Sequence, residues 1–134
     1  MARWTAVGAV AVVSLLGTLR IGGVFSANSF AATAAQARSI AAEFFRSQNE
    51  RRYDETCQLL SLGFIRSHAL RDRRTCAAVM HAVLIWSLKV EFRIGGVRRE
   101  GDRIVVQAVA DGAPGRIVLV REDGSLRILA VEGH

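Results

Sequence analysis

At 134 residues, 51% of them hydrophobic and only one a proline, the chain has room for one packed domain, which excludes a multidomain assembly and a disordered polymer. Its 18 basic and 12 acidic residues give a formal charge of +6. Setting Arg3 and Arg20 apart with an N-terminal leader leaves 16 against 12, a surplus of +4 that suits a solvated surface.

Arg3 and Trp4 precede residues 5–19, all of them apolar, small or hydroxyl-bearing. A short positive start followed by such a run fits a secretory leader. Arg20 interrupts the run before the roughly 20 residues that a spanning helix uses. Residues 21–25 can prolong it, so two readings stand. One is a cleaved signal, with small-x-small sites at Ser29-Phe30-Ala31 and Ala32-Thr33-Ala34; the other is a retained anchor holding the protein to the membrane. The absence of cysteine near the end of the run excludes a lipoprotein, and the lack of a polar face disfavours a buried core helix. Residues 1–34 are therefore assigned to a signal peptide or signal anchor, and 35–134 to the domain of an exported, secreted or envelope protein of bacterial type.

From Ala34 the pattern becomes helical, with Ala37, Ile40, Ala41, Phe44 and Phe45 on one stripe that ends near Asn49. A second helix opens at Tyr53, with Asp54 and Glu55 suited to the dipole of its first turn. Its apolar side is Tyr53, Cys57, Leu60 and Phe64. Residues 63–74 read as loop with a helical turn. A third helix spans 73–85, with Cys76, Val79, Met80, Val83 and Leu84 inward. The period then becomes two: Trp86, Leu88, Val90, Phe92 and Ile94 alternate with polar residues, predicting a half-buried strand over 86–94. Strands over 103–110, 116–121 and 126–131 follow, the last entered through the hairpin signal Asp123-Gly124, while Gly95-Gly96 marks a bulge or bend. Three helices ahead of a four-stranded meander predict an α+β fold, with the helices on one face of an antiparallel sheet.

Cys57 and Cys76 both fall on apolar helix sides, 19 positions apart. An even cysteine count in an exported chain reads as a disulfide. Two buried free thiols are the alternative. A metal site lacks ligand spacing, since only His68 and His81 lie near.

Ala41-Ala42-Glu43-Phe44-Phe45, Arg52-Tyr53-Asp54-Glu55-Thr56-Cys57-Gln58-Leu59-Leu60, Thr75-Cys76-Ala77-Ala78-Val79 and the closing strands form an order of parts with a familiar look. It resembles the nuclear transport factor 2-like (cystatin-like) superfamily in its compact exported actinobacterial form. The likeness covers residues 34–131. It implies a curved sheet and helices enclosing a cone. Members range from isomerases and cyclases to purely structural modules, so the fold transfers no activity.

Enzymes of that superfamily place acids, a tyrosine or a histidine inside the cone. Here the inward sheet positions are apolar, including Trp86, Phe92, Ile104, Val106, Ile117, Leu119 and Ile128, and none can move a proton. Tyr53 reads as packing, Asp54 as a first-turn charge and His81 as a surface or satisfied histidine, so no acid–base pair assembles. No catalytic residue, metal or cofactor is assigned. Tyr53, His81, Trp86 and Phe92 are the candidates for lining a ligand-binding cone. Arg71, Arg73 and Arg74, and Arg98-Arg99, are interleaved with Asp72, Glu100 and Asp102, which argues for a charged solvated surface and against nucleic acid. The other sheet face keeps Val105, Val109, Val118, Val120, Leu129 and Val131, many aliphatics for a surface meant for water. The expectation is a non-catalytic binding or scaffold module that meets a second copy or an envelope protein through that face. The alternative is a small-molecule binder or enzyme using the cone.

Overall fold

The computed structural model describes residues 22–84 and 87–133. Most of the leader, and Trp86 with it, lie outside the described residues. Among the described residues no helix is long and apolar enough to cross a membrane. The chain divides into two compact units, Met1–Thr33 and Ala34–His134, and the second holds the disulfide and the whole sheet.

The order is α1 (Gly22–Asn49), α2 (Tyr53–Gln58), α3 (Leu62–Ser67), α4 (Arg73–Leu84), then β1 (Phe92–Glu100), β2 (Arg103–Ala110), β3 (Ala113–Glu122) and β4 (Ser125–Gly133). The fold is α+β, with four helices where the sequence predicted three. Helix α1 begins before Ala34 and runs through both small-x-small sites. Its Ala37, Ala41 and Phe44 are buried, with Ile40 and Phe45 half-buried. The added helix, α3, replaces part of the predicted loop. Its cap is Ser61, whose hydroxyl accepts from the Phe64 N–H at 3.0 Å.

The sheet is antiparallel and open, in the order β1-β2-β3-β4. Two Asp-Gly turns set its register. Asp111-Gly112 (φ 50° and 80°) and Asp123-Gly124 (φ 52° and 81°) hold both central residues left-handed, the geometry that matches strand twist. The first of these is tight enough that β3 starts at Ala113 and not at 116. Strand β1 departs further from expectation. It begins at Phe92, opposite Ala110 at the end of β2, so residues 87–91 before it lie outside the paired strand. It then continues through a register shift between Ile94 and Val97, at Gly95-Gly96. Leu88, predicted inward, is 89% exposed, and Val83 is exposed as well.

One sheet face carries Ile104, Val106, Ile117, Leu119 and Ile128, all buried, as the alternation predicts. The outer edge of β4 is met at Ile128 by Leu60, through Ser61 N–H to Ile128 O (2.8 Å) and Ile128 N–H to Leu59 O (2.7 Å). Arg73, at the start of α4, donates to the Cys57 and Leu60 carbonyls, both at 2.7 Å, and reaches Glu122 at 3.3 Å. That arginine is structural.

The opposite face corrects an expectation. Its six aliphatics do not form one open surface. Val105 and Val118, paired across β2 and β3, are only 1% and 6% exposed. Val109, Val120 and Leu129 are half-buried. Val131, 39% exposed, stands opposite Ile117 and so belongs to the other face, because a register shift between Val118 and Leu119 changes the alternation. The same face also carries a chain of ion pairs. Glu100 pairs with Arg98 at 2.6 Å and Arg116 at 3.7 Å, and Arg116 pairs with Glu132 at 2.6 Å. To join β1 to β3, this chain of ions crosses β2 between Arg103 and Gln107. Because Val118 is buried, a carboxylate there would be a buried charge, not a surface probe.

Candidate functional site

The C-terminal end of α1 is a helix stop built on an unusual residue. Arg51 takes φ 60°, its N–H bonds the Gln48 carbonyl (3.0 Å), and the Arg52 N–H bonds the Ser47 carbonyl (2.7 Å). This is the paired-bond helix terminus that normally places glycine at the left-handed position. An arginine there costs roughly 1–2 kcal/mol of backbone strain. Its guanidinium reaches across the gap to the Ser87 and Leu84 carbonyls, at 3.3 and 3.5 Å. Asn49 binds the connector ahead of β1 more tightly. Its amide donates to the Val90 carbonyl and accepts from the Val90 N–H, both at 2.8 Å. A side chain thus supplies the partner that the missing strand would have given.

Between these anchors opens a pocket of about 300 Å³. Its walls are Phe44, Phe45, Tyr53, Leu84 and Val90, and Leu88 and Lys89 stand exposed at its rim. Phe45 is fixed from behind by stacking on Phe92, with centroids 5.0 Å apart and planes 20° from parallel. The Tyr53 hydroxyl donates to the Leu84 carbonyl at 3.4 Å. Its ring meets His81 edge-on at 6.0 Å.

The four cone candidates therefore separate. Tyr53 lines the pocket, Phe92 backs its wall, and His81 is an exposed neighbour of Tyr53. Trp86 lies outside the described residues. Asp54 is exposed, and no hydrogen bond joins Tyr53, Asp54 and His81 among the described residues. His68 stacks on Phe64 at 4.0 Å, and its Nδ1 lies 3.1 Å from the Phe64 carbonyl. No group of three or more metal-ligating side chains occurs among the described residues. Sequence reasoning missed Gln48, Asn49, Arg51 and Lys89 as pocket residues. The left-handed Arg51 leaves no mark in a hydrophobicity pattern, and Asn49 reads only as a helix end.

Cys57 and Cys76 form a disulfide, with Cα atoms 6.0 Å apart, tying α2 to α4. Both are buried, and Met80 Sδ lies 3.6 Å from Cys57 Sγ. The bond fixes the short helix that carries Tyr53. No family model, no curated protein and no solved structure matches this chain.

Proposed function

We propose that the chain is an exported, non-catalytic binding module that acts through the pocket at the α1–α4 end. The observation that carries this reading is the pocket itself. It is apolar-walled, about 300 Å³ in volume, and has Leu88 89% exposed at its lip. That size lies at the lower end for small-molecule sites. The sheet face is the weaker surface for a second copy or an envelope protein, because its central Val105 and Val118 are already buried within the chain.

Support for a non-catalytic role is the commitment of Tyr53, Asn49 and Arg51 to backbone carbonyls, which leaves no assembled acid–base pair. Support for export is the leader pattern together with the disulfide, a bond of oxidising compartments. The same reading keeps the nuclear transport factor 2-like superfamily as its family and the helix-covered cone as its architecture. The Phe45–Phe92 stack is the contact that favours them.

The test is ligand-observed fluorine NMR on the full chain held in amphipol, using a panel of small fluorinated apolar molecules. Saturable binding that disappears in Gln48→Trp, a pocket-filling change, is expected. Binding by none of the panel, or binding that survives Gln48→Trp, would refute the pocket reading.

A further inference from the structure

The pocket has a marked charge asymmetry. Two cations, Arg51 and Lys89, line it, and no carboxylate does so among the described residues. Arg51 already donates to two neutral carbonyls, which orient its guanidinium. Lys89 is the only lysine of the chain, is exposed, and has no ion pair among the described residues. The nearest acid in sequence, Glu91, lies beyond Val90, where its N–H is bonded to Asp111 at 2.9 Å. Neither of those acids lines the pocket. Elsewhere on the domain, arginines such as Arg52, Arg73, Arg98 and Arg116 are paired with acids. Among the described residues Lys89 shares its lack of an ion pair with surface arginines such as Arg38, Arg66 and Arg93, but it alone among these lines the pocket.

We infer that the pocket takes a small organic anion: an apolar body seated against Phe44, Phe45 and Val90, with a single carboxylate at the mouth beside Lys89. This rests on the pocket being the binding surface and adds the class of ligand. A compact polar anion such as phosphate would meet Lys89 but leave the wall of Phe44, Phe45 and Val90 unfilled. A neutral apolar molecule would fill the same wall but leave the cationic mouth without a counter-charge.

The experiment compares decanoate with decanol by calorimetric titration against the full chain in amphipol. Three variants are measured beside the unsubstituted protein: Lys89→Glu, Lys89→Gln and Gln48→Trp. Decanoate should bind at one saturable site, about fivefold or more tighter than decanol. Lys89→Glu should weaken decanoate about tenfold, and Lys89→Gln by less, while decanol is unchanged. Lys89 is exposed, so neither change endangers the fold, and circular dichroism of each variant checks this. Equal affinity for acid and alcohol, or a Lys89→Glu protein that binds decanoate as before, would overturn the anion assignment and leave the pocket standing. Decanoate and decanol binding that both persist in Gln48→Trp, or no saturable binding of either, would overturn the pocket and the anion together.

Discussion

Reducing the Cys57–Cys76 bond should lower the stability of the domain by about 3 kcal/mol. The bond joins positions 19 apart, and closing a loop of that length in the unfolded chain is worth about that much in the chain-entropy account. The structure indicates where the loss should fall. Helix α2 has six residues and no side-chain cap at its start, too little to persist alone. Without the staple it is held by Tyr53, Thr56 and Cys57 packing and by the Arg73 bonds to its last carbonyls. A domain of about 100 residues loses roughly 4–8 °C of melting temperature per kcal/mol, so the shift should be roughly 12–24 °C. Both cysteines are buried, so reductant must be applied to the denatured chain before refolding. The assay is far-UV circular dichroism on the full chain in amphipol, oxidised and reduced, with alkylation and mass measurement confirming the thiol state. The Cys57→Ala/Cys76→Ala protein should melt near the reduced one and ignore reductant. A fully reduced chain melting within about 4 °C of the oxidised one would refute the reasoning.

Three further outcomes are expected. A Cβ on Gly115 would stand 2.6 Å from the Glu132 carbonyl oxygen, whereas one on Gly96 would meet nothing within 4 Å. Gly115→Ala should therefore cost about 1–3 kcal/mol in denaturant titration, and Gly96→Ala should be near neutral. The Ser47 and Thr56 hydroxyls are 2.5 Å apart, and both residues are fully buried. Ser47→Ala and Thr56→Val should each cost about 1 kcal/mol, and the double variant less than their sum, as a double-mutant cycle would read. The Arg52 guanidinium above all holds the Glu43 carboxyl below its ordinary value; burial opposes it, and Arg46 adds a smaller lowering. Its contribution is present above the unfolded pKa and is lost as pH falls through the depressed folded one. Stability measured from about pH 5 down to about pH 2 should thus fall less in Glu43→Gln than in the unsubstituted protein.

The helical stripes were legible because their inward residues are apolar and helically spaced: Ala37, Ala41 and Phe44 on α1, and Cys76 and Met80 on α4. Strand β2 was legible in full, since a two-residue period with a turn at each end leaves little freedom. Strand β1 was not. Alternation reports an extended chain but not a partner, and β2 ends opposite Phe92. The residues before it lie outside the paired strand, with Asn49 taking the place of a partner, while the charged run Val97–Glu100, which looks like loop, is paired. Helix α3 had a visible signal in Ser61, three residues before Phe64, but its six residues are too few for a helical period to show. The pocket was half legible: Tyr53 was named, but Arg51 enters through a backbone conformation that composition does not encode. On the sheet face, the burial of Val105 and Val118 beside the half-buried Val109, Val120 and Leu129 was not legible, because the letter of a valine does not report its surroundings.

The contact of Leu60 with Ile128 gives the sheet a direction of growth. An antiparallel sheet extends into a fibre only when each added chain offers a fresh edge on its far side. Here the far side is already met at Ile128, leaving β1, itself interrupted by a register shift at Gly95-Gly96, as the other edge strand. Two copies that joined through β1 would each present the obstructed β4 side outward, and addition would stop at two. The segment between α2 and α3 therefore acts as a chain terminator for strand-by-strand polymerisation.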